Sequence, residues 1–176
     1  GFRACPGAFR RSLEGIRLCR DAQVKVGLRV TLTRDNVDEI PAIFDLMEAE
    51  RIPRICLYHL VYCGRGAEIA GQDLPPDVRR AALDRIIDRT ARLHERGFPA
   101  EVLTVDNHCD GPYLYLRMVR EKNPRAGDVM ALLRMNGGNS TGHGLACISW
   151  DGTVYPDQFW RNRPVGSVRE RPFSEI

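Results

Sequence analysis

Three apolar segments alternate with amphipathic helical segments along the chain, and this alternation restricts the folds open to it. Residues 24–32 alternate between apolar and polar side chains, as a strand with one buried face does. Residues 55–62 form a continuous apolar and aromatic run typical of a strand covered on both faces, and residues 101–105 form a third strand. Helices between successive strands indicate parallel pairing through right-handed crossovers. We therefore predict an α/β fold with a parallel sheet, either open or curved into a barrel.

Capping residues and apolar spacing predict the helices. Asn36 followed by Glu39 is the pattern of a capping box, and it predicts a helix that starts at residue 36. Two prolines at positions 75 and 76 fit a first helical turn, and Gly97 is typical of the end of that helix. Further helices are predicted for residues 7–22, 113–122 and 126–135.

A glycine-rich segment, residues 136–144, leads into a short apolar strand and an Asp151-Gly152 turn. Asp-Gly tolerates the positive φ angles of a tight hairpin, so a return strand is expected at residues 153–155. The segment 157–160 then brings together an acid, an amide and two aromatic rings. On residue chemistry alone, it is a capping turn over an apolar plug.

Polar loops follow each predicted strand, at residues 31–36, 62–66 and 106–111. In parallel α/β folds, ligand-binding and catalytic residues lie at the carboxyl ends of the strands. We therefore expect all three loops to face one mouth. In the first strand, Arg29 lies among aliphatic residues and is expected to form a structural salt bridge or to point into a polar cavity. His59 is either a satisfied core residue or a ligand-facing group, and an Asx turn alone would explain Asn107.

Composition excludes several functional classes. A net charge of +3, with no run of five basic residues, argues against a nucleic-acid binder. No apolar run approaches the ~18 residues of a membrane helix, and no signal segment is visible, so we expect a cytoplasmic protein without a membrane partner. The six cysteines lack the paired spacing of a zinc or iron–sulfur site. We therefore expect no metal ligands within this chain.

Three short segments carry a resemblance to a known family: Gly64-Arg65-Gly66, Val105-Asp106-Asn107-His108 and Pro156-Asp157-Gln158-Phe159-Trp160. Together they resemble the radical S-adenosylmethionine (SAM) proteins of heme d1 biosynthesis, and the resemblance extends over essentially the whole chain. It implies the second half of a partial (β/α)6 radical SAM barrel at residues 1–111. It also implies a helical connection at 112–135 and the start of a SPASM- or twitch-like auxiliary-cluster domain at 136–176.

The resemblance also implies roles for individual residues. The pattern Arg29-x-Thr31-x-Thr33-x-x-Asn36 matches the SAM-binding strand of related enzymes, in which the arginine holds the carboxylate of SAM. The next strand lines the SAM adenine. His108 would be an acid–base group or an axial ligand to a tetrapyrrole iron, since its pKa lies near neutrality. The implied roles are Arg29, Thr31, Asn36 and Leu60 for SAM; His59, Arg65 and Asn107 for substrate; Asp106 and His108 for catalysis.

In that family, a [4Fe-4S] cluster on a Cys-x3-Cys-x2-Cys loop cleaves SAM, and the 5′-deoxyadenosyl radical removes propionate side chains from a didecarboxysiroheme. This chain contains no such loop. We therefore expect it to be a fragment that is inactive alone, with the cluster ligands outside it and with ferredoxin or flavodoxin as electron donor. The alternatives are another radical SAM enzyme, acting on heme precursors or a peptide, and a non-catalytic α/β module that binds an acidic ligand.

Overall fold

The predicted parallel sheet is present in the computed structural model, which describes residues 5–176. Its three strands have the order β1-β2-β3 and are parallel throughout. Two compact units are distinguished: residues up to Leu60 with Ala70–Asn107, and Val61–Ile69 with His108–Ile176. In chain order the elements are α1 (Ala8–Asp21), β1 (Leu28–Thr31), α2 (Ile40–Ala49), β2 (Arg54–Tyr58), α3 (Arg65–Glu68), α4 (Pro76–Glu95), β3 (Glu101–Val105), α5 (Asp110–Arg120), α6 (Ala126–Asn136), β4 (Cys147–Ile148), β5 (Thr153–Tyr155) and β6 (Gly166–Ser167).

One face of the sheet carries the core of the first unit. Ile55 and Leu57 of β2 are fully buried, and helices α2 and α4 supply the apolar residues packed with them. Side chains alternate across a strand, so the residues between them belong to the opposite face. Cys56 and Tyr58 there are only half-buried. The prediction that this strand is covered on both faces is therefore wrong for the part of the chain that the structure describes.

Two strands are shorter than predicted. The first starts at Leu28 and not at residue 24, because the Val24 N–H donates to Cys19 O (2.8 Å) and closes the end of α1. The second ends at Tyr58, and a short helix, α3, follows where only a loop was expected. The third strand, β3, has the predicted bounds.

A charge pair attaches α1 to the end of α2. The carboxylate of Glu50 is buried and accepts hydrogen bonds from Arg17 Nε (3.0 Å) and Arg17 Nη2 (2.5 Å). Arg20 Nη1 lies 3.5 Å from the same carboxylate. The hydrogen bond from Arg17 lowers the pKa of Glu50 below its usual value. No residue of α1 is buried, although the half-buried Ile16 packs against the core, so this charged contact is a principal attachment of the helix.

Four helices end in a Schellman motif, in which a residue in the left-handed conformation follows the helix cap. At α4 this residue is Gly97, as predicted, with φ 78°. At the other three it carries a side chain, which strains the backbone because the Cβ atom crowds the neighbouring carbonyl. These residues are Gln23 after α1 (φ 58°), Arg51 after α2 (φ 53°) and Lys122 after α5 (φ 54°).

Replacing Arg51 with glycine is expected to stabilise the chain by about 0.5–1 kcal/mol, because glycine adopts positive φ without strain. Urea unfolding followed by circular dichroism measures the change. Gly97→Ala is the matched control and should destabilise by about 1 kcal/mol, since alanine is strained at the same position of the same motif. Destabilisation by Arg51→Gly would mean that its side chain makes a contact that outweighs the strain.

The second unit contains α3, α5, α6 and a small antiparallel sheet. Helices α5 and α6 pack together closely at Gly111, where a Cβ atom would lie 2.5 Å from Leu133 Cδ2. The predicted hairpin is formed by β4 and β5, and Gly152 in its turn has φ 89°. Strand β6 adds a third strand that was not predicted. The half-barrel, the auxiliary-cluster domain and the boundaries at residues 111 and 135 stay predictions. Within residues 5–176, no helix has both the length and the apolar composition needed to cross a membrane.

Candidate functional site

The carboxyl ends of the three parallel strands lie level with one another. Thr31 pairs with Tyr58, and Tyr58 pairs with Val105. The ladder continues one residue further, because the Leu32 N–H donates to Tyr58 O (2.8 Å) and the His59 N–H donates to Val105 O (3.0 Å). The segments after β1, β2 and β3 therefore start at one edge of the sheet. Residues 62–66 and 108–111 of the predicted loops belong to the second unit, so the common mouth of the three loops stays a prediction.

Arg29 lies on the sheet face opposite the core and is exposed. Its Nη2 donates a hydrogen bond to the Tyr58 hydroxyl on the neighbouring strand, and its guanidinium carbon lies 4.9 Å from the centre of the Tyr58 ring. The hydrogen bond with Tyr58 raises the pKa of Arg29 further, so the group is cationic at any physiological pH. Among the described residues, the partner of Arg29 is thus a tyrosine and not the carboxylate of a structural salt bridge.

The open face of the sheet presents a cation beside hydroxyl and apolar groups. Thr31 follows Arg29 by two residues, so it belongs to the same face, and it is exposed. A guanidinium offers five N–H donors, and the contact with Tyr58 uses one of them. Such a face fits a ligand that has a carboxylate. Cys56, Tyr58, Leu103 and Val105 of this face are half-buried. At the amino end of the same face, Arg54 and Glu101 are exposed and form an ion pair.

Asn36 holds the loop after β1 and does not cap a helix. Its Nδ2 donates to Thr31 O (2.9 Å), and its Oδ1 accepts from the Thr33 N–H (2.9 Å). The predicted capping box is therefore wrong, because both ends of the amide are engaged within the loop. A short 3₁₀ turn, Val37–Glu39, precedes α2 instead. Both hydrogen bonds hold the loop after β1, and the role of Asn36 in SAM binding stays a prediction.

Residues 72–73, which were not predicted to be part of this edge of the sheet, are hydrogen-bonded to the loop after β1. The Arg34 N–H donates to Gln72 O (2.9 Å), and Arg34 Nε donates to Asp73 O (3.0 Å). The Asp73 carboxylate in turn accepts from Arg79 Nη2 of α4 (2.7 Å). These contacts join residues far apart in the chain, and no local sequence pattern indicates them.

The remaining predicted site residues fall into two groups. In the first unit, His59 is buried (9% exposed), Leu60 and Asn107 are half-buried, and Asp106 is exposed in the left-handed region with φ 68°. Aspartate and asparagine tolerate this region better than most side chains do. In the second unit, Arg65 starts α3 and His108 lies in the turn before α5, and both are exposed.

The hairpin segment around Asp157 is a capping turn, as predicted. Asp157 Oδ1 accepts from the N–H groups of Phe159 and Trp160 (2.7 Å each), and its Oδ2 accepts from Thr141 Oγ1 (3.0 Å). Partial burial raises the pKa of Asp157, but these hydrogen bonds together outweigh it and lower the pKa below its usual value. Val154 of β5 is buried, whereas the rings of Phe159 and Trp160 are about half exposed, and an apolar plug beneath the turn stays a prediction.

Asp157→Asn is expected to destabilise the chain by about 1 kcal/mol at pH 7 through loss of charge-assisted hydrogen bonds. Because folding lowers this pKa, the stabilisation is present above the unfolded value of about 4 and disappears as pH falls through the lower folded value. Urea midpoints between pH 7 and pH 2.5 measure the trend. Thr141→Val removes one of the donors to Asp157, so it should cause a smaller loss of stability with the same dependence on pH. A loss of stability in Asp157→Asn that does not change with pH would contradict the role of the Asp157 carboxylate as an acceptor.

The described residues do not fit an iron–sulfur cluster. Within residues 5–176, no three His, Cys, Asp or Glu side chains are grouped so that they could hold a metal ion. The cysteines are all free thiols, at positions 5, 19, 56, 63, 109 and 147.

Known proteins resemble the chain over almost its whole length, although no protein-family model matches it. It is 58% identical to the Fe-coproporphyrin III synthase of Methanosarcina barkeri and 38% identical to the pre-heme d1 synthase of Dinoroseobacter shibae. It is 30% identical to an AdoMet-dependent heme synthase of Nitratidesulfovibrio vulgaris. Each match covers 99% of this chain but only 44–46% of the relative, so the chain spans less than half the length of these proteins. The chain belongs to the family that these synthases represent, the radical SAM proteins of heme biosynthesis.

Proposed function

We propose that this chain is part of a radical SAM enzyme that modifies the side chains of an iron tetrapyrrole. The observation that supports the proposal most directly is the exposed guanidinium of Arg29, on the open face of a parallel sheet near its carboxyl edge. Identity of 58% to a synthase named for an iron porphyrin product supports the same class of substrate.

In this proposal, Arg29 binds the carboxylate of SAM, and Thr31 lies beside it on the same face. Arginine suits this role because its planar donors match a carboxylate in two-pronged geometry. Asn36 keeps the loop after β1 in place, and Leu60 contributes apolar contact to the adenine. When it is bound and reductively cleaved, SAM supplies the radical that abstracts hydrogen from the substrate.

The iron–sulfur cluster, in the same proposal, is held by a part of the enzyme outside this chain, and a ferredoxin or flavodoxin supplies the electron. His59, Arg65 and Asn107 are proposed to contact the substrate, and Asp106 and His108 to move protons. Asp106 and His108 are exposed, as proton transfer with a bound ligand requires.

Two reactions compete within this proposal. Removal of propionates from a didecarboxysiroheme, on the way to heme d1, is supported by the Pro156–Trp160 segment and by 38% identity to a pre-heme d1 synthase. Formation of Fe-coproporphyrin III is supported by 58% identity to a synthase of that product. The higher identity favours the second reaction.

The product of the full-length enzyme decides between them. After anaerobic reconstitution with iron and sulfide, the enzyme would be incubated with didecarboxysiroheme, SAM and a reductant, and the tetrapyrrole identified by mass spectrometry. Coproporphyrin retains its propionates, so a mass equal to Fe-coproporphyrin III supports the second reaction, and loss of propionate mass supports the first. A protein that binds iron but never cleaves SAM would contradict both and favour a non-catalytic module for an acidic ligand.

A further inference from the structure

We propose that Tyr58 is a positioning residue that orients Arg29 for the carboxylate of SAM, an inference that rests on the function proposed above. Tyr58 contacts Arg29 in two ways, through its hydroxyl and through the face of its ring. Cys56 is paired directly with Arg29 across the strands and acts on its charge only electrostatically, so within residues 5–176 Tyr58 is the side chain that accepts a hydrogen bond from this guanidinium. The tyrosine therefore determines where the cation lies on the open face.

The parallel register explains why these two residues meet. Tyr58 is paired directly with Thr31, two residues beyond Arg29 on the same face of the sheet. The arginine side chain reaches along its strand toward the carboxyl edge and ends over the neighbouring tyrosine. The contact thus directs the charge toward the edge at which the three loops start.

An exposed arginine has many accessible rotamers, and ordering it on binding weakens affinity. A hydroxyl and an aromatic face that hold the guanidinium beforehand reduce this loss. The hydroxyl occupies one donor of the guanidinium, and the remaining donors suffice for a two-pronged contact with a carboxylate. Tyr58 therefore acts through Arg29, without itself contacting the ligand's charge.

Binding of two ligands to the reconstituted full-length protein tests the proposal: SAM, and decarboxylated SAM, which lacks the carboxylate. Tyr58→Phe keeps the ring and removes the hydroxyl, so we expect roughly fivefold weaker binding of SAM and unchanged binding of decarboxylated SAM. Arg29→Gln should weaken SAM about 50-fold with the same selectivity. In the double variant, the tyrosine change should add nothing, because its effect passes through Arg29.

The matched control is Tyr155→Phe, because the Tyr155 ring is also contacted by an arginine, with Arg161 at 5.9 Å, but in the small antiparallel sheet. This variant should leave the binding of both ligands unchanged. If Tyr58→Phe weakens the binding of both ligands equally, or weakens neither, the positioning role is overturned. In that case, an Arg29→Gln variant that loses affinity for SAM but not for decarboxylated SAM still upholds the proposed role of the arginine. An Arg29→Gln effect without selectivity overturns the SAM role of Arg29, and the positioning role with it.

Discussion

Replacing Phe44 with alanine is expected to destabilise the chain by about 4 kcal/mol, the largest effect among the substitutions considered. Phe44 belongs to α2, and its ring is fully buried between the sheet and helix α4. It lies in a cluster that includes Ile40 and Met47, which also belong to α2. Its removal loses apolar burial and leaves a cavity that the surrounding strands cannot fill. Urea unfolding followed by circular dichroism measures the loss, provided that the variant still folds.

Phe44→Leu supplies a milder variant for the same site and should cost about 1–2 kcal/mol, since most of the volume is retained. Ile43→Ala is the matched control on the same helix, at a half-buried position at the margin of the core. It should destabilise less than Phe44→Ala does. Equal effects of the two alanine variants would contradict the assignment of Phe44 to the centre of the core.

Asn36→Leu is expected to destabilise the chain by about 2–3 kcal/mol, the second largest effect. The substitution removes both loop hydrogen bonds, so the N–H of Thr33, whose residue is only 6% exposed, loses its partner in a buried setting. The Thr31 carbonyl loses its contact as well. Denaturant midpoints measure the change in stability.

Asn36→Asp separates the two hydrogen bonds, because a carboxylate still accepts from Thr33 but cannot donate to Thr31. We expect an intermediate loss of stability. The matched control is Asp35→Ala, an exposed neighbour in the same loop, with an effect within about 0.5 kcal/mol. If Asn36→Leu lowers the stability as little as Asp35→Ala does, the loop is held mainly by other contacts, such as the hydrogen bond between Arg34 and Gln72.

Much of the first unit could be predicted from local patterns. The alternation of strands and helices predicted the parallel sheet, and β3 and the region of α4 have the expected bounds. Errors arose where a residue has a partner beyond its own segment. Val24 matches the strand pattern, but its N–H completes the end of α1. Asn36 matches a capping box, but its amide is taken up by the preceding loop.

The candidate site could be predicted only in part, for the same reason. The edge of the sheet follows from the order of elements, and Arg29 is conspicuous in an aliphatic strand. The contact with Tyr58 depends on the register of β1 against β2, which the separate strand sequences do not specify. The pairing of Arg34 with Gln72 and Asp73 likewise depends on how a distant segment folds back.

The attachment of α1 through Glu50 has a consequence for the lifetime of the protein in the presence of a protease. A helix without buried residues opens locally more readily than the sheet does, and α1 contains four arginines, each a site for trypsin. Cleavage of such a segment follows the population of its open form. We expect Glu50→Gln to speed tryptic cleavage within α1 and leave cleavage in α4 unchanged. The carboxylate of one residue at the end of α2 thus contributes to how long the first helix resists digestion.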